Sequence, residues 1–87
     1  MNTFLLVISS PDGDVFRGEV RSVSVRGVEG DLAVLAGHIP FVTTVVPCEV
    51  KIVLSDATEK IGKTDGGILT VGNDMTTLLS GSFTFQD

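Results

Sequence analysis

Residues 49 to 54 read Glu-Val-Lys-Ile-Val-Leu, and in this stretch the period of the chain is plainest. Val50, Ile52 and Leu54 fall on one side of an extended backbone, and Glu49, Lys51 and Val53 on the other. Apolar residues at every second position are the mark of a strand half-buried against a core. The same period recurs on either side. Val23 and Val25 alternate with Ser22, Ser24 and Arg26, while Val20 breaks the phase and predicts a bulge or bend there. Met75, Thr77 and Leu79 alternate with Thr76 and Leu78, and Phe83 and Phe85 alternate with Ser82, Thr84 and Gln86. Phe4 to Ile8 is apolar at both phases, as a strand covered on both faces requires.

Turn residues punctuate these runs: Pro11-Asp12-Gly13, Gly27 with Gly30, Gly37 to Pro40, Pro47, Ser55-Asp56, Asp65-Gly66-Gly67, Gly72-Asn73-Asp74 and Ser80-Gly81. Ten glycines stand against three alanines (Ala33, Ala36 and Ala57), and no stretch of a dozen residues keeps a helical apolar stripe. The expected fold is all-β: a small antiparallel sandwich or flattened barrel of about eight to ten short strands, with essentially no helix. The 87 residues make one domain, residues 1–87, without linker or repeat.

Composition narrows the function. A net charge of −5 without a lysine or arginine run argues against nucleic acid and against adsorption to an anionic membrane. Residues 1 to 9 lack a basic segment and a small-residue cleavage site, and no apolar run approaches a spanning length, so direct lipid insertion is not expected. His38 is the only histidine and Cys48 the only cysteine, which leaves no metal set and no internal disulfide. No nucleophile motif accompanies His38. Residues 27 to 37 lack the Gly-Lys-Ser/Thr ending of a phosphate cradle and carry Glu29 and Asp31, which repel phosphate. Asp12 and Asp14 flank a glycine turn without the remaining spacing of a calcium loop. The reading is a chain with no catalytic centre and no cofactor, which works by being held against other proteins.

The distinctive stretch is Val25 to Pro40, VRGVEGDLAVLAGHIP. It joins a tight acidic turn, a short apolar strand and a Gly-His-Ile-Pro turn. The two connections are expected at one end of the sandwich, as one compact surface.

This stretch resembles the N-terminal β-sandwich domain of the epsilon subunit of F-type rotary ATP synthases. Gly27, Glu29, Gly30, Asp31, Leu32, Val34, Gly37, His38 and Pro40 fit the family's G-x-E-G-[ED]-[LM]-x-[IV]-x-x-G-H-x-P block without a gap. Leu5 to Pro11 and Val15 to Val25 fit its opening strands, Pro47, Val50 and Ile52 its next pattern, and Gly66 to Val71 its G-G-[FIL]-[LV]-x-V strand. Cys48 stands where the family usually has glycine, which predicts a turn that avoids positive φ. The chain stops at Asp87, where longer members continue into a helical hairpin; the inhibition and ATP binding associated with that hairpin are not carried over.

The resemblance implies a non-catalytic rotor subunit of the central stalk, linking the gamma subunit to the membrane c-ring of a proton- or sodium-driven enzyme. By position in the motif, Glu29 and Asp31 face the c-ring, and His38, Ile39 and Phe41 face the gamma subunit. The implied location is peripheral, on the cytoplasmic face of an energy-coupling membrane, the bacterial plasma membrane. The competing reading is a free-standing β-sandwich that binds some other protein or a small ligand in a concave apolar pocket.

Overall fold

A computed structural model describes residues 2–86; Met1 and Asp87, the ends of the expected domain, lie outside the described residues. Nine strands follow one another: β1 (Phe4–Ser10), β2 (Gly13–Gly27), β3 (Gly30–Leu35), β4 (Phe41–Val45), β5 (Cys48–Leu54), β6 (Glu59–Thr64), β7 (Gly67–Val71), β8 (Met75–Ser80) and β9 (Phe83–Gln86). No helix occurs among the described residues.

The long strand β2 organises the rest. Its first half pairs with β1, from Phe4↔Val20 to Ser10↔Gly13. Beyond Val20 it pairs with β5 on one side and β3 on the other. The register with β5 shifts between Val20 and Ser22, at the residue where the sequence loses phase. An extra residue there increases the local twist and lets one strand serve both layers. One layer is β4-β7-β8-β1 with the start of β2; the other is β3-β2-β5-β6-β9. The expected antiparallel plan needs one correction. β1 and β8 are parallel, from Leu5↔Met75 to Ser9↔Leu79, because β1 fills the slot between β8 and β2.

The core is formed by the inward phase of each strand. Leu6 and Ile8, Val20, Val23 and Val25, Val34, Val45, Val50 and Ile52, Leu69 and Val71, Leu78 and Phe83 make one buried cluster. Val7, on the opposite face of β1, is also covered, as the two-sided apolar run requires. On β8 the inward phase is Thr76, Leu78 and Ser80, so Met75 and Leu79 point to solvent. The buried Ser80 hydroxyl lies 2.6 Å from that of Thr64. It also donates to the carbonyl of Ser82 at 2.6 Å. This ties the β6–β7 turn to the β8–β9 turn without an orphaned polar group.

Candidate interaction surfaces

The acidic turn is a two-residue hairpin. Gly27 and Gly30 close it, and Gly30 has φ 126°, a value that L side chains rarely adopt. Val28 and Glu29 occupy its tip, and Val28, at 62% exposure, projects a large apolar side chain into solvent. Asp31 follows as an exposed outward residue of β3, but it is not an isolated anion. Arg26, its partner across the hairpin, donates from Nε to Asp31 Oδ1 at 2.8 Å. The bond and the carboxylate charge hold the Arg26 guanidinium above its ordinary pKa. Glu29 forms no ion pair among the described residues.

The second connection, residues 36–40, turns at Gly37 (φ 83°), where the His38 amide donates to the carbonyl of Leu35 at 3.2 Å. Ile39 is the most exposed large apolar residue among the described residues, at 79%. The His38 ring lies 5.1 Å from that of Phe41, tilted by 51°. Phe41 itself is half-buried against the core. It supports the loop from beneath, and the side chain that β4 turns outward is Val42, at 66% exposure.

The two connections do not share an end. Gly30 pairs with Gly27 and Leu35 with Ser22, so the six residues of β3 hold the turns apart. At about 3.3 Å per residue the separation along β3 is about 17 Å. This corrects the expectation of one compact surface: the block presents two.

A third surface is not evident in the motif. Strand register aligns Thr44, Ile68, Leu79 and Ser9 in one row across β4, β7, β8 and β1. Val42, Thr70, Thr77 and Val7 form the next row. Neither row carries a charge, although the chain is strongly acidic. Charges return only at the border, where Asp14 and Arg17 of β2 flank Ser9 and Val7. An uncharged centre with apolar side chains and a charged rim has the composition of a protein interface. Its signal in the sequence is Val42 of β4 with Ile68 and Leu79, apolar residues on the phase left outside.

A groove of about 610 Å³ lies over the outer face of β3, β2 and β5. Ser24 and Ala33 form its floor, with Arg26, Asp31, Glu49 and Lys51 around it. Val25, Leu32 and Pro47 complete the lining, which is therefore part charged and part apolar. Cys48 lies at its edge in strand β5, where its Sγ accepts the Arg26 amide at 3.4 Å. Ala57 is the only non-glycine with positive φ among the described residues, so Cys48 occupies an ordinary strand conformation. Among the described residues no three histidine, cysteine, aspartate or glutamate side chains come together as metal ligands.

Residues 3–86 match the family described as the ATP synthase delta/epsilon chain, β-sandwich domain. An ATP synthase epsilon chain of Wolbachia pipientis wMel is 36% identical over 80 residues, covering 92% of this chain and 70% of that relative. A chain in the cryo-EM structure of the Euglena gracilis mitochondrial ATP synthase (OSCP/F1/c-ring, rotational state 1) superposes with a TM-score of 0.90 at 19% identity. A chain of the Tetrahymena thermophila mitochondrial ATP synthase central stalk/c-ring structure does so with 0.76 at 13% identity. Each superposition covers 95% of this chain, which spans 53% of the Euglena chain and 66% of the Tetrahymena one.

Proposed function

This chain belongs to the ATP synthase delta/epsilon β-sandwich family, and we propose that it is a non-catalytic part of the rotor, the central stalk of a membrane-associated ATP synthase. In this role it links the gamma subunit to the c-ring and carries rotation between them. The observation that supports the reading most is the separation of the acidic turn from the Ile39 loop, since a linking part needs two surfaces for two partners. Glu29, with Asp31 held in place by Arg26, faces the polar loops of the c-ring. Ile39 docks on the gamma subunit with His38, while Phe41 braces the loop. The uncharged rows through Val42, Ile68 and Leu79 extend this apolar contact.

A close-packed sandwich suits the task, because its interior resists deformation under load. The location that follows is peripheral, on the cytoplasmic face of a bacterial plasma membrane. Charge at an exposed rim sets orientation and encounter more than affinity. Asp31→Arg, which also places a second cation beside Arg26, reduces retention of the chain on isolated c-ring–gamma subcomplexes and leaves its melting temperature nearly unchanged. Equal retention removes the acidic turn from the ring contact.

A further inference from the structure

An aspartate followed by glycine can react with its own backbone, because glycine has no side chain to shield its amide from the neighbouring carboxyl. The sequence has two such pairs, Asp12–Gly13 and Asp65–Gly66. Both aspartates are exposed, and both glycines have positive φ, 123° and 106°. Sequence and exposure do not separate the two pairs, but their bonding does.

At Asp65 both reacting groups are held. The carboxylate accepts the Ser82 amide at 2.9 Å and lies 3.4 Å from the Ser80 hydroxyl. The Gly66 amide donates to Thr64 Oγ1 at 3.0 Å. A Cβ at Gly66 falls 2.9 Å from the Val45 carbonyl oxygen, so this backbone has little room to turn. Asp12 is different. Among the described residues its carboxylate accepts no hydrogen bond, while its amide donates to Ser10 Oγ at 3.3 Å. A Cβ at Gly13 meets none of the described residues within 4 Å, its chain neighbours aside. The Ser10–Gly13 pair is the last rung of the β1–β2 ladder, and the register shift between Ile8 and Ser9 leaves two rungs beyond it. A tip held so lightly opens locally without disturbing the core.

We propose that Asp12–Gly13 is the site of backbone isomerisation in this chain, and that the fold keeps Asp65–Gly66 unreactive. The Gly13 nitrogen attacks Asp12 Cγ and forms a C–N bond. One carboxyl oxygen leaves as water with the amide proton, and a five-membered cyclic imide results. Water then adds to either ring carbonyl. Breaking the bond from nitrogen to Cγ restores aspartate. Breaking the bond from nitrogen to the Asp12 carbonyl carbon leaves isoaspartate, with the chain running through the former side chain. Its free α-carboxyl is the group methylated by an isoaspartate-specific carboxyl methyltransferase, with S-adenosylmethionine as methyl donor. The extra main-chain carbon sits in a two-residue turn beyond the bulge, so the core strands keep their register.

The test ages the folded chain at neutral pH and physiological temperature. Isoaspartate is then counted by enzymatic methyl transfer and placed by electron-transfer fragmentation of the peptides. It accumulates at Asp12 at least about tenfold faster than at Asp65, where more than one bond must break first. In urea above the unfolding midpoint that protection is gone, and the two rates converge to within about threefold. Asp12→Glu, whose longer side chain forms no five-membered imide, abolishes the signal at that position and leaves the melting temperature nearly unchanged. Absence of isoaspartate at Asp12, or a rate at Asp65 that equals or exceeds it in the folded chain, overturns the proposal. A tenfold difference that persists in urea also overturns it, because the cause is then the local sequence and not the fold.

Discussion

Replacing Thr64 by valine keeps the shape of a buried strand residue and deletes one hydroxyl. Thr64 is 5% exposed and Ser80 4%. The Thr64 hydroxyl accepts the Gly66 amide at 3.0 Å and lies 2.6 Å from Ser80 Oγ. Around this pair the Asp65 carboxylate accepts the Ser82 amide at 2.9 Å, so two turns are held as one unit. Valine leaves the Gly66 amide without its acceptor, while the Ser80 hydroxyl keeps the Ser82 carbonyl. Two neutral bonds at about 1 kcal/mol each put the loss near 2 kcal/mol. In a domain of this size that lowers the melting temperature by about 8–16 °C.

Ser80→Ala breaks the same shared bond, so the double variant loses about 1 kcal/mol less than the sum of the singles. Urea and thermal unfolding followed by circular dichroism, with an unchanged denaturant slope, measure all three. Thr44→Val, on the exposed face, serves as the control and shifts stability by less than about 0.5 kcal/mol. Losses of that small size at Thr64, or strictly additive singles, refute the claim that the pair staples the turns.

Ile52→Ala, at 0% exposure in the centre of the core, costs about 2–5 kcal/mol, and a denaturant midpoint near that of the unsubstituted chain contradicts the assigned core. Leu79→Glu places a charge in the uncharged rows; surface plasmon resonance detects weaker gamma binding, while the melting temperature barely moves. The Asp56 carboxylate is held below its ordinary pKa, chiefly by the Thr58 amide that donates to it at 2.9 Å. A depressed folded-state value stabilises the fold at neutral pH, and that contribution is lost as pH falls through about 3.9 and below. Asp56→Asn therefore flattens the acid limb of a stability–pH curve, and superimposable acid limbs count against the turn bond.

Much of this architecture was legible because apolar period and core phase coincide. The alternation at 49–54 became β5 with Val50 and Ile52 inside, and the lost phase at Val20 became the register shift that lets β2 serve two layers. The two-sided apolar run at Phe4–Ile8 became a strand in which Leu6, Val7 and Ile8, residues of both phases, are buried. What stayed hidden is what alternation cannot specify. Period 2 does not say which phase is inside when both phases are polar or apolar by turns, as on β8, where Thr76 and Ser80 are buried and Leu79 is not. Nor does it give strand direction, so the parallel β1–β8 pair is a product of closure and not of local pattern. At the candidate surfaces the motif marked the acidic turn and the His38 loop. The pairing of Arg26 with Asp31, the inward ring of Phe41 and the distance between the turns all depend on register.

The central claim is that this sandwich is a docking part of a rotor, and size-exclusion chromatography of the chain mixed with its gamma subunit tests it most directly. The account predicts co-elution in a one-to-one complex, lost when Ile39 and Leu79 are both replaced by aspartate in a variant that remains folded. Separate elution of the folded, unsubstituted chain contradicts it.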